Sequence, residues 1–546
     1  MTGLRRLRRT PESSGGHPLL DAVVVGAGHN GLVAAAYLAQ AGRSVVVLER
    51  DVIPGGAVST VERFPGYRVD RGSSAHLMIR HSPIPDELDL AGHGLRYVDC
   101  DPWAFAPGTA SSPPIVFRTD LDATCASIAQ SVGTADADAY RRFVEVWRPR
   151  AQAVMRSFYS AAGPGRFATA FAGLGATATT ARSGPVGRRT GSMLSLTQEL
   201  MSSGDALLDR WFTAEPLKAA LAWFGAQSGP PMNAPGTAPM IGFAALQHDI
   251  PPGRAIGGSG ALTEALLRRI ATDGGEVATG RPAAAISRCR DHWRVDTADG
   301  DGRCARTVVA ACHVLSTLDL LAAGGYDREV VDRWRSQIIV GDGIGMAVRL
   351  GTDALPDYPD LPTDLPPHGV GSALGLLVTD RAHLRRAQVA AGVGTLPERP
   401  AVVAMAYSAV DPTIAPPGEH LINLWAQWHP RHLADGTPWQ QAAPQAAAAV
   451  VAELDRHAPG IVDHIRHTHI QSPEDLEQEL GLIGGNIMHV EMSIDQMFFW
   501  RPHPDLSGHR VPGADGVFLA GASTHPGGGV TGASGRIAAH LALHRR

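Results

Sequence analysis

DAVVVGAGHNGLVAAAYLAQAGRSVVVLE, Asp21 to Glu49, is the stretch whose reading decides the fold. An apolar run, Ala22 to Val25, leads into Gly26-Ala-Gly28-His29-Asn30-Gly31. A small-residue run, Leu32 to Gln40, follows, and a second apolar run, Val45 to Leu48, ends in Glu49. This order reads as strand, glycine turn, helix, strand. Gly26 makes the tight turn, Gly28 lets backbone approach a pyrophosphate, and Gly31 lets the helix pack on the strand. The helix start offers N–H groups and a positive dipole end to phosphate. Glu49 stands where the fingerprint puts an acid, about 20 residues on, to accept hydrogen bonds from both ribose hydroxyls. An acid there disfavours a 2′-phosphate, so the pattern points to FAD or NAD rather than NADP. His29 and Asn30 inside the turn and Arg50 directly after it are counted with the cofactor-binding residues.

Outward from this stretch, Pro54-Gly55-Gly56-Ala57 makes a turn where the chain must pass beside the dinucleotide. Asp70-Arg-Gly72-Ser73 offers hydroxyl and N–H groups near it. Far downstream, a helix from Ala261 to Thr272 is followed by short strands, Ala283 to Ser287, Trp293 to Thr297 and Thr307 to Ala311. They read as the chain returning to complete the nucleotide domain, with the backbone at Ala283 reaching the adenine. The C-terminal anchor is Gly516 to Ala520 as a strand, Gly521-Ala522-Ser-Thr524 as a turn, and His525-Pro-Gly-Gly528-Gly529-Val530 opening a last helix. A glycine run before a helix again aims N–H groups at a ligand. One fingerprint holds only half a dinucleotide, so the ligand there is its other half. The segments between read differently. Asp136 to Met155 and Ser195 to Phe212 are predicted as helices, and Ala401 to Tyr407, His420 to Trp428 and Gln440 to His457 as a sheet with a covering helix. The expected division is a basic disordered tail over 1–20, a nucleotide domain from 21–90, 250–320 and 495–546, and a substrate domain from 91–249 and 321–494.

Composition narrows the function classes. The chain has 546 residues, 44 % hydrophobic and 18 % charged, as in an ordinary globular enzyme. A net charge of −5 argues against nucleic acid as a partner. The five cysteines form no C-x-x-C pair and no zinc spacing, so no metal site is assigned and a dithiol mechanism lacks its residues. They also fit a reducing compartment, and the cytoplasm is the expected location, with a peripheral membrane contact and an organellar address left open. No run of about 18 apolar residues is present to span a bilayer. Phe158, Tyr159, Phe167 and Phe171 flank an Ala/Gly/Ser-rich stretch, Ala161 to Ser192, and read as core, as an apolar entrance or as a membrane-resting surface. Lys218 is the one lysine. Any mechanism that needs a lysine must use it, and at the start of a helix it reads as solvated.

Both ends, with the middle motifs in the same order, resemble the phytoene desaturase branch of the FAD-dependent amine-oxidase-like oxidoreductases. Further motifs that carry the resemblance are Gly257 to Leu262, Asp411-Pro412, Ser472-Pro473-x-Asp475, Gly484-Gly-Asn-Ile-Met-His489, Asp495-Gln496 with Arg501-Pro502, and Gly521 to Val530. The resemblance implies an α/β fold: a glutathione-reductase-type, FAD-binding Rossmann domain, discontinuous in sequence, with an inserted α+β substrate domain. It implies FAD, a small hydrophobic substrate, and oxidation of a C–C bond by hydride transfer to flavin N5, with oxygen or a quinone as the acceptors left open. A flavin-dependent isomerase, an NAD(P)H-using monooxygenase and a regulatory flavoprotein with weak catalysis are the alternatives. His525, directly before the glycine run, is the expected catalytic residue, taking a proton from substrate or bonding the isoalloxazine. His489 and Glu491 are expected on one face of a strand, and Asp495 with Arg501 as a structural pair.

Overall fold

The computed structural model describes residues 17–161 and 193–545. Residues 1–16 of the expected tail, and the low-complexity stretch with Phe167 and Phe171, lie outside the described residues. The first strand, Leu20–Val25, begins one residue inside the span assigned to the tail.

That strand lies between Val45–Leu48 and Gly302–Ala310, parallel to both. Glu276–Ala278 extends the sheet beyond Val45–Leu48, and Val517–Leu519 extends it beyond Gly302–Ala310, again in parallel. The parallel strands of this sheet must be covered on both faces, and Val23 and Val24, which point to opposite faces, are both fully buried. Helices His29–Gln40, Gly260–Thr272 and Ala533–Leu543 cover one face, packing Leu32, Leu266 and Ala538 against Val24 and Val47. The other face receives Val314–Ala323 and Arg328–Gln337, with Leu318 and Trp334 against Val23 and Val25. The helix Arg328–Gln337, counted in sequence with the substrate domain, therefore belongs to the core of the first sheet. Ala283–Arg288, Trp293–Thr297 and Gly302–Ala310 form the expected antiparallel meander.

A second sheet has seven strands in the order Ile465–Gln471, Gly345–Thr352, His420–Gln427, Ala401–Met405, Leu374–Leu377, Ala104–Ala106 and Ile115–Phe117. Alternation along the strands splits its core in two. Val402, Ile422 and Phe105 pack under the helix Trp439–His457, whereas Ala401, Val403 and Ala104 face the helices Thr134–Phe158 and Glu215–Ala226. Ser195 to Phe212 is two helices rather than one, Met193–Leu200 and Gly204–Trp211. The second starts at Ser203, whose hydroxyl accepts the Ala206 N–H at 3.2 Å, a cap that competes with helix continuation.

Buried charge joins two short ladders, Thr60–Phe64 with Tyr67–Asp70 and Tyr97–Asp99 with Gly253–Ala255, to each other and to the second sheet. Asp70, at the end of Tyr67–Asp70, and Arg254, in Gly253–Ala255, are both fully buried and ion-paired. Arg254 Nη1 also donates to the Ser74 carbonyl at 2.7 Å, and its Nε lies 3.7 Å from Asp411 beyond the second sheet. Arg349, from the strand Gly345–Thr352 of the second sheet, donates to the carbonyls of Asp70 at 2.9 Å and Arg71 at 3.3 Å. Asp70 in turn accepts from the Ser259 N–H and the Thr60 hydroxyl, each at 2.8 Å. Removing one partner of such a buried pair strands the other charge, which costs about 3–5 kcal/mol. Asp70→Ala is expected to lower the unfolding free energy by about that amount in a urea titration, and a change under about 1 kcal/mol would show that the pair does not join the sheets.

Candidate active site

The fingerprint turn has the geometry its letters require. Gly26 has φ +101°, and a Cβ on Gly31 would fall 2.0 Å from the Gly26 carbonyl oxygen, so no side chain fits there. A Cβ on Gly28 would meet no heavy atom within 4 Å. The backbone at Gly28 therefore borders open space at the start of the helix His29–Gln40, which no side chain caps. Glu49, only 8 % exposed, ends the second strand and accepts the N–H of Ala27 at 2.6 Å and of Asp51 at 2.9 Å. Gly55 donates its N–H to the Ala27 carbonyl at 2.8 Å, which sets Gly55, Gly56 and Ala57 directly beside the fingerprint. Ser73 donates its N–H to the Ala57 carbonyl at 2.7 Å. The Arg281 N–H reaches the Glu49 carbonyl at 2.7 Å and brings the turn before Ala283 next to that acid. Arg50 is placed elsewhere: its guanidinium turns to the carbonyls of Gln478 and Glu479, both at 3.5 Å, at the negative C-terminal end of the helix Pro473–Leu480.

The C-terminal anchor closes on the same place. A Cβ on Gly535 would lie 2.0 Å from the Asn30 carbonyl oxygen, and one on Gly521 would lie 2.4 Å from that of Cys312. Gly535 thus lets the last helix touch the fingerprint, and Gly521 lets the last turn touch the chain just after the strand Gly302–Ala310. Val530 has φ +54°, a conformation that is strained for a β-branched residue. Gly529 before it is exposed, with Met78 the nearest neighbour at 3.6 Å from the position of a Cβ. Arg501 fixes this turn from beneath. It is fully buried and donates to the carbonyls of Met488 at 2.7 Å, Ala522 and Glu491 at 3.1 Å, Val490 at 3.2 Å and Gln496 at 3.4 Å. The expected pair with Asp495 does not form, because backbone carbonyls take the guanidinium instead.

His525 is 3 % exposed, and its Nε2 lies 3.3 Å from the Ser157 carbonyl. A carbonyl only accepts, so Nε2 carries the proton and Nδ1 presents a lone pair, buried and without a partner among the described residues. The ring sits edge-on to Phe158, centroids 6.0 Å apart, with Phe498 at 6.5 Å. Burial lowers its pKa to about 3. The same cause lowers His29 and His313 to about 4 and His76 to about 3. His76 bonds the hydroxyls of Tyr97 at 2.6 Å and Ser259 at 2.9 Å. His489 lies in a loop with φ +67° rather than on a strand, so it does not share a strand face with Glu491. Its ring stacks on His313 at 5.7 Å, and its carbonyl accepts from His313 Nε2 at 2.9 Å. Burial raises the Glu491 pKa. Lys218 is not solvated: it is 12 % exposed and paired with Asp209 at 2.8 Å. Sequence reading missed Met78 beside Gly529 and His76 beside Ser259. Neither lies in a motif, and only the folded chain brings them to the glycine turns.

The open space at Gly28, the exposed Gly529 and the anchored Glu49 carboxylate together fit a long dinucleotide lying from the first glycine turn to the last. Comparisons with known proteins agree. Residues 24–85 match the NAD(P)-binding Rossmann-like domain family. Over 96 % of its length the chain is 33 % identical to the pyridine nucleotide-disulfide oxidoreductase domain-containing protein 2 of Rattus norvegicus, covering 93 % of that protein. The chain belongs to that family. It is an oxidoreductase, related also to the phytoene dehydrogenase of Streptomyces griseus, with 26 % identity over 96 % of this chain and 95 % of that one. An oxidoreductase of Methanosarcina mazei shares the fold, with a TM-score of 0.60 at 15 % identity over 96 % of this chain and all of the other. The family's name contains the word disulfide, yet all five cysteines of this member are free thiols.

Two outcomes test this geometry. Gly28→Ala should leave the melting temperature unchanged and weaken dinucleotide retention, whereas Gly31→Ala should lower the melting temperature itself; equal melting behaviour of the two would refute the division of roles. The buried histidines have folded pKa values below the ordinary 6.5, so the stability they confer is complete above about pH 6.5 and is lost as pH falls towards 3–4. The urea midpoint should drop steeply between about pH 6.5 and 4, and a flat profile would contradict their burial as neutral rings.

Proposed function

We propose that this chain is an FAD-dependent dehydrogenase of the desaturase type that oxidises a C–C bond in an apolar substrate. The observation that carries the reading is His525: a neutral imidazole among Phe158 and Phe498, with one bare nitrogen, directly before the glycine run. The first sheet is the cofactor unit and the second, with its helices, the substrate unit. Gly26, Gly28, His29, Asn30 and Gly31 with Gly55, Gly56, Ala57 and Ser73 bind the pyrophosphate side. Glu49, anchored by the N–H groups of Ala27 and Asp51, takes the ribose hydroxyls with its remaining lone pairs, and Ala283 borders the adenine. Gly521, Ala522, Gly528, Gly529 and Val530 hold the other half, with Arg501 fixing their turn.

When bound, FAD supplies the hydride acceptor. The substrate loses a hydride from one carbon and a proton from its neighbour, and a C=C bond forms between them. His525 Nδ1 receives that proton. A weak base suffices, because a carbon beside a developing cation is strongly acidic, and a ring held neutral by burial is ready to accept at any pH where the protein is folded. Apolar neighbours exclude water from this step. Amine oxidation is disfavoured, since the single lysine is held by Asp209.

The purified protein should show a flavin absorption band that anaerobic NADH or NADPH does not bleach. Rapid bleaching would move the monooxygenase or reduced-flavin isomerase reading ahead. Glu49→Ala is expected to lose flavin on gel filtration. His525→Ala should keep its flavin and its melting temperature while turnover of an apolar polyene falls by about 10²–10⁴. Loss of the flavin in that variant would make His525 structural.

A further inference from the structure

A cavity of about 380 Å³ opens where the C-terminal end of the helix Thr134–Phe158 meets the last helix of the chain. Its volume lies in the range of small-molecule sites. Pro83, Met155, Tyr159 and Leu246 give it an apolar lining, and the charged residues among its walls are Arg156 and Arg536. Arg536 is a built element rather than a loose surface charge. Glu87 holds its Nε at 2.7 Å and Nη2 at 2.8 Å from behind, the guanidinium lies 5.9 Å from the Tyr37 ring centroid, and Nη1 makes one long bond, 3.4 Å, to the Tyr159 carbonyl. Nη1 is thus the donor with capacity to spare. Arg156 is exposed and has no carboxylate partner among the described residues. Two arginines against the one carboxylate of Glu87 leave a single uncompensated positive charge. The nearby Asp249 does not cancel it, being taken by Arg148 at 3.4 Å and Gln152 at 2.8 Å. The lining His81 is shifted by burial towards its neutral form and adds no charge at neutral pH.

The cavity adjoins the reaction face. Tyr159 donates its hydroxyl to the Met78 carbonyl at 3.4 Å, and Met78 is the residue beside Gly529. One turn of the same helix end carries Met155 and Arg156 into the cavity wall and presents the Ser157 carbonyl and the Phe158 ring to His525. A chain-like molecule lying along Met155 and Tyr159 would leave its head between the arginines and lie against the same helix end that contacts His525.

We propose that this cavity binds the far end of the substrate, and that the end it selects is a monoanionic carboxylate on an apolar chain. The inference rests on the dehydrogenase reading above and adds the substrate's head group. Arg536, braced by Glu87, supplies a fixed hydrogen bond, and Arg156 supplies the uncompensated charge. An amine head would meet that charge unfavourably, and an alcohol would accept the hydrogen bond but leave the positive charge uncompensated.

Isothermal titration of the purified full-length protein with dodecanoate, dodecanol and dodecylamine tests this. Dodecanoate should bind roughly tenfold or more tighter than dodecanol, since the carboxylate adds an ion pair to the hydrogen bond, and dodecylamine should bind weakest. Arg156→Glu should remove the preference for dodecanoate while leaving dodecanol affinity unchanged, and Leu246→Trp should abolish binding of both by filling the cavity. Equal affinity for dodecanoate and dodecanol in the unaltered protein, or an unchanged preference in the folded Arg156→Glu variant, would overturn the proposal. The visible spectrum of the same samples separates the two readings: flavin present with no carboxylate preference sinks this inference alone, whereas absence of flavin sinks the dehydrogenase reading.

Discussion

The pairing of Asp70 with Arg254 is the constraint on which the rest depends. Two charges taken fully out of water hold each other in place, and the groups gathered around them come from several parts of the fold. The Ser259 N–H and the Thr60 hydroxyl meet Asp70, the Ser74 carbonyl and Asp411 meet Arg254, and Arg349 reaches in from the second sheet. Asp411 also accepts the Gly257 N–H at 2.9 Å. The turn that follows Asp70 carries Ser73 to Ala57 and so to the fingerprint. A charge network thereby holds the segments that brace the glycine turns against the second sheet.

Much of this was legible in sequence where the physics is local. The fingerprint is one uninterrupted stretch, and each glycine answers to a clash that a few neighbouring atoms create, as at Gly31. The meander and its return to the first strand were readable because alternation and turn residues lie in order along the chain. The two anchors could be assigned to one ligand because each is a glycine run opening a helix.

What stayed hidden depends on atoms that sequence does not spell. Arg501 looked like half of an ion pair, but its partners are carbonyl oxygens, which every residue carries and none advertises. Asp70 and Arg254 are 184 residues apart, and nothing between them indicates that they meet. His489 is expected on a strand with Glu491, whereas the Met488 N–H bonds the Asn486 side chain at 2.8 Å and the backbone at His489 enters the left-handed region instead. Lys218 read as solvated at a helix start, a position that says nothing of Asp209 on the preceding helix.

The arginine-for-lysine composition has a consequence outside catalysis. With Lys218 the one lysine, and that side chain 12 % exposed and ion-paired, the chain presents almost no side-chain primary amine to its surroundings. Reagents and enzymes that mark proteins through lysine, by acylation or by conjugation of another polypeptide, find a single guarded address.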